Sequence, residues 1–251
     1  MFPVRDENPT AHRPIATIAL IALNAWTWAA LQGLGSEATL VQSICTFGLI
    51  PAELLGTVGA GAVLPLGPEH ACVADGRAAA TVVTSMFMHG GWAHILGNLW
   101  FLWIFGDNVE DAMGPVRFVA FYVLCGLVAA VTQVASHPAS LVPMVGASGA
   151  IGGVMGAYIR LFPRARIHML LVLGFYVTTA AVPAVWMLGY WFLVQLLGGL
   201  PQLAGFEGGV AFWAHVGGFV AGALLVGVFR SEGRMRARLA LTARRTARYR
   251  I

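Results

Sequence analysis

The chain has 251 residues, of which 58% are hydrophobic and 10% charged, with a mean hydropathy of +0.76. So few polar side chains cannot cover a soluble domain of this size, so the composition excludes a soluble globular protein and implies a polytopic membrane protein. The net charge of +4 is concentrated in the tail beyond the last apolar run, which points to anionic lipid headgroups as the partner and away from nucleic acid.

Residues 1–14 are polar and contain proline, which predicts a short mobile arm. The apolar run 15–34 is already of span length, carries Pro14 at its start and is followed by no clear small-residue cleavage site, so it reads as a transmembrane helix and not as a cleavable signal. Further runs suited to crossing about 30 Å of hydrocarbon lie at 92–106, 116–135, 147–162, 168–190 and 209–229, the first and third of these being short.

Between the first two spans, the segment from Gly35 to about Thr84 is rich in Leu, Val, Phe and Ala, with Pro51, Pro65 and Pro68 as breakers. It is expected to lie partly embedded at the outer interface. It carries Cys45 and Cys72, between which a disulfide is chemically possible, whereas Cys125 reads as a small packing residue in the third span. The connections 107–115 and 163–167 are short and charged, with a glycine or proline where a helix would stop, so neighbouring spans should be antiparallel.

All fifteen basic residues are arginines. A six-span chain places fourteen of them on one side and Arg77 alone on the other, and the positive-inside rule then puts both termini in the cytoplasm. The expected layout is a cytoplasmic arm at 1–14, an all-α six-helix membrane domain at 15–229 and a basic cytoplasmic tail at 230–251.

Several polar residues inside the apolar runs call for a reason. Gly146-Ala147-Ser148-Gly149 opens a segment free of charge until Arg160, and His215 stands alone in the last span. Ser148, Gly152 and Gly156 recur every four residues, as do Ala214, Gly218 and Gly222, giving two smooth helix faces. Ordinary small-residue packing accounts for such stripes, and so does the close approach that a serine-imidazole hydrogen bond demands. The fourth span is short, about 22 Å from Ser148 to Phe162, so with its arginine-flanked end at the inner surface Ser148 is recessed below the outer one.

His215 alone fits a structural histidine, a metal or haem ligand, or a proton relay; an apolar setting favours the neutral imidazole that accepts a proton from serine. In the second span His94 and Asn98, four residues apart, share a helical face, and His89 lies just before them. Donors so placed suit either an oxyanion or interhelical hydrogen bonds. A His-Glu-x-x-His zinc motif is absent, and Asp107, Glu110 and Asp111 cluster at one boundary instead of facing each other as an aspartyl dyad does. A three-histidine metal site at His89, His94 and His215 stays open, without an obvious carboxylate to support it.

Four segments in order, His89-Gly-Gly-Trp-Ala-His94-Ile-Leu-Gly-Asn98, Phe105-Gly-Asp-Asn-Val-Glu110, Gly146-Ala-Ser148-Gly-Ala-Ile-Gly-Gly and Ala214-His215-Val-Gly-Gly-Phe219, resemble the rhomboid family of intramembrane serine proteases from about Thr84 to Arg230. The resemblance implies a six-helix rhomboid-like bundle and a Ser-His dyad at Ser148 and His215, with no metal or cofactor. It further implies oxyanion and substrate-binding positions at His94, Asn98, Gly146 and the Ser148 amide, and structural support from His89, Glu110, Gly152 and Gly218. The substrates would be transmembrane proteins, cut from a bacterial cytoplasmic membrane through an active site that opens outward, with the fifth span and the outer loop as gate. The alternative is a non-catalytic rhomboid-like chaperone or adaptor that binds transmembrane clients. Two departures stand out: the aromatic that some members carry four residues after the nucleophile is Gly152 here, and the Trp-Arg pair of the first outer loop in some members has no counterpart just upstream of Met86.

Overall fold

The computed structural model describes residues 2–76, 78–203 and 209–248; Arg77 and Arg250, both counted in the charge asymmetry, lie outside them. In chain order the elements are β1 (Phe2–Asp6), α1 (Ile15–Ala30), α2 (Glu37–Phe47), α3 (Pro51–Leu54), β2 (Val63–Leu66), β3 (His70–Val73), α4 (Ala78–Thr84) and α5 (Trp92–Met113). There follow α6 (Pro115–Ser136), α7 (Ser148–Leu161), β4 (Arg166–Leu173), β5 (Tyr176–Pro183), α8 (Ala184–Leu203), α9 (Phe212–Phe229) and α10 (Glu232–Arg248).

The chain is mainly helical, and α6, α8 and α9 are long and apolar enough to cross a membrane by length and composition. Outward faces of the helices carry Trp26, Trp103, Val131, Leu224 and Val228, all more than half exposed, which suits hydrocarbon and not water. The interior is aromatic: Phe105, Phe118, Phe121, Tyr122 and Tyr158 are fully buried. Gly114 separates α5 from α6. Its φ of 89° is accessible to glycine, and Pro115 restarts the helix at a position whose missing N–H would have been unpaired anyway.

Two tight packings position the site. α9 packs most extensively on α7 and then on α6. The small-residue faces account for it: a Cβ on Gly152 would stand 3.1 Å from the His215 carbonyl oxygen, and one on Gly153 3.2 Å from that of Gly218. The second packing joins α5 to α1. Glu110 reaches out of α5 to the uncapped start of α1, its Oε1 accepting from the Ala16 amide (2.9 Å) and its Oε2 from the Thr17 amide (2.7 Å) and hydroxyl (2.8 Å). A carboxylate there satisfies orphan amides and complements the helix dipole.

Three expectations are corrected. The apolar run 168–190 is not one helix: β4 and β5 form an antiparallel hairpin around Gly174, pairing Arg166 with Pro183 and Leu173 with Tyr176, and α8 begins only at Ala184. The stretch is rich in β-branched residues, and Pro183 biases its predecessor away from helix. The arm 1–14 is anchored: β1 adds to β4, with Phe2 opposite Leu170 and Asp6 opposite Ile167, and Trp100 Nε1 donates to the Pro3 carbonyl at 2.6 Å. The tail is not wholly free for lipid, because α10 packs on α5 and Arg238, 5% exposed, donates to Asp111 Oδ2 (2.6 Å), Asn8 Oδ1 and Asn108 Oδ1 (2.8 Å each). The segment between α1 and α5 is folded too: the β2–β3 hairpin is joined to α2 by a Cys45–Cys72 disulfide.

Candidate active site

Ser148 is the first residue of α7, and His215 lies in the first turn of α9. The close helix contact that Gly149 and Gly152 permit brings the two side chains together, with Ser148 Oγ 2.8 Å from His215 Nε2. This is hydrogen-bond distance for a nucleophile and its base. On the far side of the ring, Nδ1 lies 2.7 Å from Gln195 Oε1, and the Trp191 ring is centred 5.9 Å away. With glycine at 152, the imidazole is held by α8 and not by an aromatic on α7.

Both side chains are half-buried and line a cavity of about 780 Å³. His94 and Asn98 of α5 line the same cavity, as do Ile44 and Leu66 from the folded segment between α1 and α5. Asn98 is 6% exposed, and its Nδ2 has no hydrogen-bond partner among the described residues. His94 Nδ1 accepts from the Gly90 amide at 3.2 Å, so Nε2 carries the ring hydrogen. That Nε2 faces Gly146, whose φ of 125° already favours glycine and where a Cβ would stand 2.6 Å from it. The start of α7 has no side-chain cap, so first-turn amides are unclaimed by one. Donors from two helices thus flank Ser148.

The remaining residues singled out from the sequence sit further back. His89 is fully buried, its ring centred 5.2 Å from that of His94, and its backbone is clasped by Gln32, whose Nε2 donates to the His89 carbonyl and whose Oε1 accepts from the His89 amide, each at 2.8 Å. Glu110 is at the opposite end of α5, away from the cavity. Gly152 and Gly218 lie in the α7–α9 contact. Among the described residues no group of three His, Cys, Asp or Glu side chains is arranged to hold a metal ion.

Gln195, Trp191 and Gln133 were not singled out from sequence. Gln133 Oε1 accepts from the Ala214 amide at 3.2 Å and ties the start of α9 to α6. Gln195 had a legible signal, as the one carboxamide in the apolar run 184–200.

The Rhomboid domain profile matches residues 77–232. Rhomboid protease GluP of Bacillus subtilis is 32% identical over 142 residues, 57% of this chain and 27% of that protein. Rhomboid-like protease 5 of Toxoplasma gondii is 32% identical over 149 residues, covering 57% of this chain and 15% of its own length. Rhomboid protein 1, mitochondrial, of Saccharomyces cerevisiae is 28% identical over 150 residues, covering 57% and 40%. The chain therefore spans less than half the length of these relatives. With the profile matching well over half of its residues, and with the motif-bearing helices meeting around one cavity, this membrane protein belongs to the rhomboid family.

Proposed function

We propose that the chain is an intramembrane serine endopeptidase that cleaves transmembrane or juxtamembrane segments of membrane proteins. The observation that carries this reading is the 2.8 Å contact between Ser148 Oγ and His215 Nε2 on the wall of a cavity. A non-catalytic client-binding relative has no use for such a contact, which is why hydrolysis is preferred.

His215 Nε2 removes the Ser148 proton as Oγ attacks the substrate carbonyl, and the tetrahedral oxyanion is stabilised by His94 Nε2–H, Asn98 Nδ2 and the Ser148 amide. Asn98 supports this role by being buried with an unspent donor. Collapse expels the amine, protonated by His215, and water then hydrolyses the acyl-enzyme with the same base. A helical substrate hides its carbonyls in its own hydrogen bonds, so it has to unwind locally before attack.

The membrane domain is read as six spans, α1, α5, α6, α7, α8 and α9, with the arm, the β4–β5 hairpin and α10 on the cytoplasmic side of a bacterial inner membrane. Arginine placement supports that orientation. α7, with 14 residues and about 21 Å of rise, is shorter than the full hydrocarbon core, so the span it belongs to begins beneath the outer surface and Ser148 is recessed there.

Labelling by a fluorophosphonate tests the reading. Purified protein is expected to label at Ser148 and to cut a reconstituted transmembrane substrate, and both Ser148→Ala and His215→Ala abolish labelling. Full turnover by Ser148→Ala protein would end the assignment.

A further inference from the structure

Gln195 sits on α8 one turn after Trp191 and is 8% exposed. Its Nε2 faces the Trp191 carbonyl at 3.4 Å, and its Oε1 faces His215 Nδ1 at 2.7 Å. An amide oxygen can only accept, so the ring hydrogen lies on Nδ1. Nε2 is then the nitrogen with the free lone pair, and it is the one 2.8 Å from Ser148 Oγ. The opposite tautomer would aim two acceptors at each other across 2.7 Å and leave Nε2 unable to take a proton.

Resting on the reading of Ser148 and His215 as nucleophile and base, we propose that Gln195 is a positioning residue for His215: its Oε1 fixes the Nδ1–H tautomer and stabilises the imidazolium formed during attack. The proton moves from Ser148 Oγ to His215 Nε2, the Nδ1 hydrogen stays on the ring, and Gln195 neither gains nor loses one. A neutral amide provides the acceptor without placing an ionised carboxylate inside an apolar bundle, where it would be costly to desolvate.

The support comes from a different helix than the base. His215 belongs to α9, while Gln195 and the neighbouring Trp191 belong to α8, beside the cavity. Any displacement of α8 that admits a substrate therefore either keeps the amide contact or releases the ring from its reactive tautomer.

The test is fluorophosphonate labelling of Ser148 in purified, reconstituted full chain, with kinact and KI resolved separately. Gln195→Met preserves length and removes the acceptor, and is expected to lower kinact by about 10- to 100-fold, the worth of one hydrogen bond to a group that becomes charged. KI and the thermal unfolding midpoint stay unchanged. Gln195→Glu retains an oxygen facing Nδ1–H and restores most of kinact, a rescue that a purely packing role would not give. Should Gln195→Met unfold, Gln195→Asn, one methylene short of the ring, is expected to show the same loss. Unchanged kinact in the folded Met or Asn variant, or Gln195→Glu no better than it, overturns the proposal while leaving the dyad intact. Wild-type protein that fails to label at Ser148 overturns the dyad itself and this proposal with it.

Discussion

At the scale of single residues, the site is a set of atoms whose partners are specified by what each can donate or accept. Asn98 Nδ2 has no partner among the described residues, although its side chain is buried against the cavity. If it donates only to an oxyanion, Asn98→Ala should lower kcat by about a hundredfold or more and leave KM nearly unchanged. Gly146 is a sharper case, because its backbone conformation and its neighbour both exclude a side chain. Gly146→Ala is expected to push His94 away from Ser148 and reduce cleavage at least tenfold, about 1.4 kcal/mol in barrier. Wild-type rates in that variant would show that His94 is not an oxyanion donor.

Among the secondary elements, the two β additions are what helix-based reasoning does not anticipate, and each has its own chemical fastening. The β2–β3 hairpin is tied to α2 through Cys45–Cys72, and Leu66 of β2 and Ile44 of α2 both line the cavity. Reduction frees a loop of 27 residues' separation, which chain entropy values at about 3 to 4 kcal/mol. The hairpin should then become protease-sensitive while the bundle survives, as limited proteolysis with and without reductant would reveal. β1 is fastened by Asp6, whose Oδ2 accepts from the Tyr158 hydroxyl (2.6 Å) and Asn108 Nδ2 (2.9 Å). Burial pushes this carboxyl up from its ordinary 3.8 to about 6, against the opposing pull of the Tyr158 hydrogen bond and of Arg238. A carboxyl raised in the folded state binds protons more tightly there than when β1 is released, so its contribution is complete below about pH 4 and is lost as pH rises through about 6. Hydrogen exchange of the β1 amides should accordingly quicken between pH 5 and 7 beyond the intrinsic rate, an excess that Asp6→Asn removes.

Over the whole molecule, the end of α5 away from the cavity is tied to the arm and the tail through Asp111, which meets His12, Arg234 and Arg238. Arg238 of α10 meets Asp111 and Asn108 of α5 and Asn8 of the arm, and lies 4.5 Å over the Phe162 ring just after α7. Removing one member of a buried ion pair costs about 3 to 5 kcal/mol, so Arg238→Ala should lower the detergent unfolding midpoint and release α10 together with the arm. Stability unchanged in that variant would mean that the tail is held by other contacts. The same arginine marks the limit of compositional reading: a basic tail reads as lipid-facing until one of its charges is found buried against a carboxylate.

Hydropathy and spacing made much of the site legible. Ser148, His215, His94 and Asn98 stand out because a polar group in an apolar run has to be satisfied by something, and the small-residue stripes announced where two helices could approach. Their periodicity is local, and so a chain of letters suffices. The sequence alone thus determined the membrane class, the family motifs and four of the polar residues that line the cavity, His94, Asn98, Ser148 and His215. Tertiary structure decided what depends on partners distant in sequence: that 166–183 forms a hairpin paired with the first residues, that Cys45 meets Cys72, and that Gln195 of α8 meets the imidazole. Strand pairing, disulfides and ring tautomers are set by which groups meet in space, and no local pattern of hydrophobicity encodes that meeting.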